Sequence, residues 1–420
     1  MSPEKPESVY THDGQSALDE LRDCLVHVMT FGCAYNMGDS RKLEEILKAQ
    51  DCTIVDTPKA ADAVVVNTCT VVGSTERRML RTLRNLKEKN LYVTGCMPVV
   101  QKEEIFGVCS PKIIFPNEIG ERYRNVRTVQ PAGVGILQVA SGCLGTCSYC
   151  ITRNARGRLR SFPKEEILVQ ADKMVKAGAK ELQLTGQDVS AWGREKGWDL
   201  SQLLNEIVHI PGKFYIRLGM MNPSTLMPII EPLIEAYRSP KIFNFLHIPA
   251  QSGSDEILNA MKRKYSAADV VRIVEEFREA CPDISLATDI IVGFPGETDE
   301  QFRETMQLIS RIKPNKVNIT RFSMRPHTDI AGEDDLVDSL KKKRSRILLK
   351  HAEALYHEIN AGWIGKETDI LVTEKIRHGS VISRTPNYQN VVIQRDLPVG
   401  YEGHAVILED RKYYFIGALC

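Results

Sequence analysis

The ten residues from Ser141 to Cys150, Ser-Gly-Cys-Leu-Gly-Thr-Cys-Ser-Tyr-Cys, constrain this chain more than any other stretch. They set Cys143, Cys147 and Cys150 at CxxxCxxC spacing. A short thiolate-rich loop of this kind can hold three irons of a [4Fe–4S] cube and leave the fourth without a protein ligand, open to a substrate or cofactor. Two other readings exist. Cysteines at i, i+4 and i+7 also make a stripe on a buried helix, but Gly142, Gly145, Thr146 and Ser148 favour turns over helix interiors. Zinc normally asks for a second ligand pair close in sequence, and none lies near.

A chain of 420 residues has room for two or three domains. No run of about 18 apolar residues occurs, so no membrane-spanning helix is expected. The start is polar, without the apolar core of a secretory signal, and residues 1–23 read as a disordered lead-in. Eleven cysteines without such a signal point to a reducing, cytoplasmic setting and to metal or redox chemistry rather than a disulfide frame. The net charge is +1, so any polyanion must bind a local patch.

From about Cys24 to Val129, short apolar strands alternate with helices, which predicts a small open α/β sheet. Strands are expected over Leu25–Thr30, Ala63–Val66 and Leu91–Val93. Asp39 or Ser40 is expected to cap a helix running to Lys48, and Ser74 a basic helix from Glu76 to about Lys89. Cys33, Cys69 and Cys96 each follow a strand, and in parallel sheets the carboxyl ends of strands converge on one ligand-binding edge. Three cysteines spread over 64 residues can therefore meet in space and hold a second iron–sulfur cluster. The alternative is that each is a small buried hydrophobe at a strand end.

Pro131–Gly135 reads as a linker. Beyond it six strands precede helical segments: Val134–Val139, Glu181–Thr185, Phe214–Leu218, Asn244–Ile248, Ile284–Ile291 and Lys316–Phe322. Arg153, Arg156, Arg158 and Arg160 directly follow the cysteine loop; they suit phosphate contacts, though a charge run is more often a solvated face. Lys341–Arg346 looks like the exposed start of a long helix. After Gly362 the pattern changes to five short alternating strands, Thr368–Glu374, Ser380–Arg384, Asn390–Gln394, His404–Leu408 and Tyr413–Gly417. They predict a small antiparallel barrel. Seven Lys and Arg there balance seven Asp and Glu, so charge does not mark that barrel as RNA-binding.

CxxxCxxC with Tyr149 before its last cysteine resembles the radical S-adenosylmethionine (SAM) enzymes. Thr30–Asn36 with Asp39-Ser40, Asn67–Val71 and Thr94–Pro98 resemble the N-terminal domain of the methylthiotransferases within that family. The last 60 residues resemble the TRAM domain of tRNA-modifying enzymes. Arg217–Pro223, Leu246–Ser252 and Asn154–Gly157 look most like the archaeal and eukaryotic branch, although Met324–Asp329 departs from the Arg-Pro-Gly-Thr-Pro more usual there.

The resemblance implies an N-terminal α/β domain (24–129), a partial (β/α)6 radical SAM barrel (130–360) and a TRAM barrel (361–420). It implies two [4Fe–4S] clusters, at Cys33, Cys69 and Cys96 and at Cys143, Cys147 and Cys150. It places SAM near Tyr149, Gln187, Asp188, Arg217, Gln251 and Ser252. The implied reaction adds a methylthio group to C2 of N6-threonylcarbamoyladenosine at position 37 of tRNA, with electrons from a ferredoxin or flavodoxin. An unactivated C–H bond gives acid–base catalysis little purchase, so a cofactor-borne radical must abstract that hydrogen. The competing readings are a methylthiotransferase for isopentenyladenosine tRNA or a ribosomal protein, another radical SAM chemistry, and an iron–sulfur or zinc RNA-binding protein. Cys24, Cys52, Cys109, Cys281 and Cys420 match no family position.

Overall fold

A parallel sheet whose strands are apolar on both faces needs cover on both sides. The computed structural model describes residues 16–126 and 133–420, and the chain divides into two units, Met1–Val129 and Gln130–Cys420. In the first, β1 (Leu25–Thr30), β2 (Thr53–Ile54), β3 (Ala63–Thr68), β4 (Asn90–Gly95) and β5 (Lys112–Ile113) form one sheet in the order β2-β1-β3-β4-β5. Every pairing in it is parallel. In β3, Val65 turns to a core with Leu18, Leu21, Leu43 and Leu47, while Val64 and Val66 turn to another with Met79, Leu83 and Met97. Each such buried side chain contributes about 1.5–3 kcal/mol.

Residues 16–23 depart from the expected disordered lead-in, because Leu18 and Leu21 are wholly buried in the first of these cores. Two leucines in a polar stretch carry no period to read. Met1–Gln15, the rest of that lead-in, lie outside the described residues. Helix α1 (Ala34–Lys48) starts directly after Cys33 rather than at Asp39 or Ser40. Ser40 instead faces inward, accepting from Thr30 Oγ1 (2.7 Å) and Asn67 Nδ2 (2.9 Å). Helix α2 (Gly73–Asn85) likewise encloses Ser74 rather than being capped by it.

In the second unit β6 (Val134–Gln138) runs into a short antiparallel pair, β7 (Ala140–Ser141) and β8 (Arg160–Ser161). Next come β9 (Glu181–Thr185), β10 (Tyr215–Leu218), β11 (Phe245–His247), β12 (Ser285–Val292) and β13 (Lys316–Arg321). Two parallel groups, β10-β9-β6 and β11-β12-β13, are joined where Phe243 N–H donates to Ile216 O (3.0 Å) and Met221 N–H to His247 O (2.9 Å). The result is an open six-stranded parallel barrel. Pro131 and Ala132 of the expected linker lie outside the described residues, and Val134 and Gly135 already belong to β6.

The basic run at the start of the long helix Asp338–Ala361 is exposed only in part, at Lys342, Lys343 and Arg346. Lys341 and Arg344 are 2% and 3% exposed. Lys341 reaches Phe322 O (3.2 Å) and Asp335, and Arg344 bonds Glu297 and Asp299 at 2.7 Å each. A buried cation needs a partner, and both have one.

Five further strands, β14 (Glu367–Arg377), β15 (Ser380–Arg384), β16 (Asn390–Ile393), β17 (Glu402–Asp410) and β18 (Phe415–Leu419), close a barrel in the order β14-β15-β16-β18-β17. It is not antiparallel throughout, since β16 and β18 run parallel. A ring of five strands cannot alternate direction all the way round. The turn between β15 and β16 enters the parallel barrel: Tyr388 donates its hydroxyl to Glu181 Oε1 (2.6 Å), and its ring packs 5.0 Å from those of Phe243 and Phe245. Asn387 donates to Asp283 O (3.1 Å) and Gln389 to Ser285 Oγ (2.7 Å).

Two candidate cysteine sites

The compact site is built on the loop between β7 and β8. Their pairing, Ala140 with Ser161 and Ser141 with Arg160, closes its base, and a bridge joins Cys143 to Arg158. Gly142 has φ +77°, and a Cβ there would fall 2.1 Å from Arg158 O, so only glycine fits. A Cβ on Gly145 would lie 3.3 and 3.5 Å from the sulfurs of Cys143 and Cys147, so both converge on that residue. Each also accepts a hydrogen bond: Gly145 N–H donates to Cys143 Sγ (3.2 Å) and Arg263 Nη1 to Cys147 Sγ (3.0 Å). Arg263 Nε donates to Tyr265 Oη (2.8 Å), whose hydroxyl donates to Pro249 O (2.9 Å). Ser148 fastens the loop through its N–H to Met261 O (3.1 Å) and its hydroxyl to Ala260 O (2.8 Å).

Donors aimed at sulfur suit an anionic thiolate. In the free thiol state, burial, helped by the nearby Asp188 carboxylate, pushes Cys143 up to about 11. Beside the loop lies a cavity of about 520 Å³, lined among others by Cys147, Arg194, Asn222, Thr225 and Arg263. That volume suits a small cofactor.

The residues expected around SAM separate into two groups. Tyr149 lies in the loop, its ring edge-on to Phe294 at 6.1 Å, and burial raises its phenol well above the usual range. Gln187 Oε1 accepts from Gly142 N–H (2.7 Å) and pins the loop. Asp188, raised by burial, accepts from Ser190 Oγ (2.8 Å), Thr225 Oγ1 (2.7 Å) and Asn222 N–H (3.1 Å). Arg217, Gln251 and Ser252 make no hydrogen bond to the loop among the described residues. Arg217 lies on β10 with its guanidinium 5.0 Å from the Phe245 ring and 5.8 Å from Tyr388. Its Nε is buried without a partner among the described residues. Gln251 holds φ +68°, and Ser252 is fully buried against Thr305 (3.3 Å). Arg153 Nη1 donates to Gly145 O (3.2 Å), Arg156 is half-buried, and Arg158 and Arg160 are exposed.

Sequence reasoning missed Arg263, Tyr265, Asn222 and Thr225. Lys262-Arg263-Lys264 reads as a solvated turn, and nothing in it marks the middle cation as the one drawn inward while both lysines stay exposed. It also missed His247 Nε2 on Asp289 Oδ2 (3.0 Å) inside the barrel. Burial works to raise the Asp289 carboxyl, but bonds from His247 and Asn318 outweigh it and hold it below the usual range.

The dispersed site belongs to the first unit. Cys33, Cys69 and Cys96 directly follow or closely trail β1, β3 and β4, which are adjacent in the sheet. Register pairs Thr30 with Asn67 and Thr68 with Gly95, so the strand ends stand level. A Cβ on Gly32 would lie 2.8 Å from Cys69 Cβ, which shows how close the first two segments come. Cys96 N–H donates to Thr68 O (2.9 Å). Asn36 Nδ2 ties Phe31 O (2.9 Å) to Thr68 O (2.8 Å). Asn67 Nδ2 ties Asn36 O (2.8 Å) to Ser40. Cys33 is exposed, and Cys69 and Cys96 are buried. Among the described residues no three His, Cys, Asp or Glu stand as a single-ion site. A cube asks for something else, because each of its thiolates meets a different iron.

A cysteine loop after the first strand of an open parallel barrel defines a radical SAM protein, and residues 137–309 match the family model described as the radical SAM superfamily. Residues 25–115 match the model described as uncharacterized protein family UPF0004. A probable threonylcarbamoyladenosine tRNA methylthiotransferase of Pyrococcus abyssi is 38% identical, over 91% of this chain and 96% of its own length. The human threonylcarbamoyladenosine tRNA methylthiotransferase is 32% identical, over 93% of this chain and 73% of its own. The chain belongs to the threonylcarbamoyladenosine tRNA methylthiotransferase family. In fold it is similar to the radical SAM methyltransferase TsrM of Kitasatospora setae, with TM-score 0.53 at 16% identity over 73% of this chain and 75% of that one. No helix among the described residues is long and apolar enough to cross a membrane.

Proposed function

We propose that this chain is a cytoplasmic tRNA methylthiotransferase that adds a methylthio group to C2 of N6-threonylcarbamoyladenosine at position 37. The observation that carries the reading is the presence of two cysteine trios in one chain, one on the loop after the first barrel strand and one at the carboxyl ends of three parallel strands, in a protein alike over most of its length to enzymes of that name. Cys143, Cys147 and Cys150 hold one [4Fe–4S] cluster, and Cys33, Cys69 and Cys96 the other. When bound, the first supplies, with SAM, the radical that abstracts the C2 hydrogen, and the second supplies the sulfur.

The residues of the chain then have definable work. Gly145 and Arg263 donate hydrogen bonds to sulfur and favour the thiolate form. Gln187 holds the loop, and Asp188 holds Thr225 and Asn222 on the wall of the cavity that takes SAM, with Tyr149 buried in the loop beside it. Arg217, with Nε unpartnered among the described residues and its guanidinium beside the Phe245 and Tyr388 rings, is available to a carboxylate of cofactor or substrate. Gln251 and Ser252 shape the turn after β11 that borders the same end of the barrel. Arg153 braces the loop, and Arg156 with the exposed Arg158 and Arg160 meets RNA phosphates. Electrons come from a small ferredoxin or flavodoxin.

The test is iron and acid-labile sulfide per chain after anaerobic reconstitution, in wild type and in a Cys143→Ala/Cys147→Ala/Cys150→Ala variant. About eight irons falling to about four supports two independent clusters. About four falling to none removes the second cluster and with it the methylthiotransferase reading.

A further inference from the structure

Helix α2 follows Cys69 within four residues and is the most basic element of its unit. Between Glu76 and Lys89 there are six Lys and Arg against two Glu. The rest of the described residues of that unit hold nine against thirteen, so the charge is concentrated rather than general. Burial sorts it further. Met79 and Leu83 are wholly buried and face the core. Arg77, Arg81 and Arg84 are exposed. At 3.6 residues per turn these three fall within about 60° of arc, opposite the core face, and span about 10 Å of helix axis. No ion pair or hydrogen bond to their side chains occurs among the described residues. On an ordinary solvated helix, acidic residues one turn away quench such a row. Here none does.

The row is anchored to the cysteine-bearing edge of the sheet. Cys69 N–H donates to Met79 Sδ (3.1 Å), inside α2. Arg78, at the side of the row, lays its guanidinium 5.3 Å from the Phe31 ring, two residues before Cys33. A strand whose reacting base is presented at this edge therefore has a line of arginines leading away from it.

We propose that Arg77, Arg81 and Arg84 form a docking rail for consecutive phosphates of the tRNA strand that carries the substrate nucleotide. This rests on the functional reading above and adds where the RNA backbone runs. Arginine, with its planar fork of donors, suits phosphate better than the lysines of a solubilising surface do. Phosphate contacts fix register without reading sequence. The rail therefore sets how firmly any tRNA is held, while recognition of the modified base is left to other residues.

The experiment uses the reconstituted full chain, in wild type and in an Arg77→Gln/Arg81→Gln/Arg84→Gln variant. A charge-matched control, Arg22→Gln/Lys59→Gln/Lys102→Gln, changes exposed cations elsewhere in the unit. The probe is tRNA bearing threonylcarbamoyladenosine, and the readout is Kd from about 50 to about 200 mM salt. The rail variant, with full iron content, is expected to bind on the order of tenfold or more weakly at low salt. Its log–log salt slope should be shallower by about 2, three contacts at about 0.7 each. The loss should be equal for a tRNA lacking the modification, and the control should follow wild type. Wild-type affinity and slope in the rail variant overturn the proposal. So does unchanged RNA binding with slower reduction by an acidic flavodoxin, which would make the row a protein-docking face. Wild type that binds no tRNA at any salt overturns the functional reading along with the rail.

Discussion

The two cysteine trios are made in opposite ways. Cys143, Cys147 and Cys150 lie within eight residues, on a loop that sulfur-directed donors and a closed base hold in shape. Cys33, Cys69 and Cys96 come from three segments spread over 64 residues and meet only because β1, β3 and β4 are neighbours in one sheet. The first trio needs a loop and one outside arginine. The second needs a folded domain, because no short-range geometry brings its members together and loop closure between them has an entropic cost. Damage to the sheet should therefore empty the dispersed site, while damage to the compact site should stay local.

The largest effect separates the two in function. Cys147→Ala should abolish formation of 5′-deoxyadenosine from SAM altogether. Cys33→Ala should keep that cleavage and lose methylthiolation of tRNA. Chromatography of both products from one reaction distinguishes them, and full methylthiolation by Cys33→Ala would end the two-cluster account.

Next in size is Gly95→Ala. Gly95 closes β4 at φ +94°, and a Cβ there would fall 2.2 Å from Thr68 O, the carbonyl that receives Cys96 N–H. Strain and overlap together should cost about 3 kcal/mol or more. Iron should fall from about eight to about four per chain, with SAM cleavage retained. Gly145→Ala in the compact loop is the matched comparison. Its Cβ meets only sulfurs, at 3.3 and 3.5 Å, and its φ is not positive. It should keep its iron.

Asn36→Ala comes third. Asn36 is 1% exposed and its amide ties the ends of β1 and β3 together. Its loss takes the donor from Phe31 O and leaves Thr68 O with Cys96 N–H alone, and should lower stability by about 2 kcal/mol. Denaturant titration should show the change, with slower reconstitution at the dispersed site and none at the compact one.

The same contrast explains what could be read in advance. All six parallel strands of the second unit begin and end within one residue of expectation, because each is a short run of continuous or alternating apolar residues bounded by polar or glycine-containing turns. The compact trio is a local motif and legible for the same reason. For the dispersed trio only the common position after a strand was legible, and strand order came from the structure. Helix starts were missed at Asp39, Ser40 and Ser74, where a hydroxyl or carboxylate looks like a cap from sequence. Ser40 instead bonds the strand ends, a long-range partner that no local pattern contains. Lys341 and Arg344 were misplaced similarly, since their partners Asp335, Glu297 and Asp299 lie outside the helix, where no helical pattern announces them. Arg263 is the hardest case: its meaning lies in Cys147, 116 residues away.

Arg263 also gives the smallest and sharpest test of the contrast. Arg263→Gln removes a positive charge and the Nη1–H···Sγ bond to Cys147 but leaves all six cysteines in place. Iron content should stay near eight. A reduced cluster carries one more negative charge than an oxidised one, so a cationic donor at its sulfur stabilises the reduced form more. Without it, the midpoint potential should move to more negative values by about 40 mV, equivalent to about 1 kcal/mol for a one-electron couple. Potentiometric titration followed by electron paramagnetic resonance reads this directly. Arg263→Lys, which keeps the charge and a donor, should recover part of the shift. Only one of the two cluster signals should move. If both move together, Arg263 acts on the whole protein rather than on the loop, and the compact site is less self-contained than its eight residues imply.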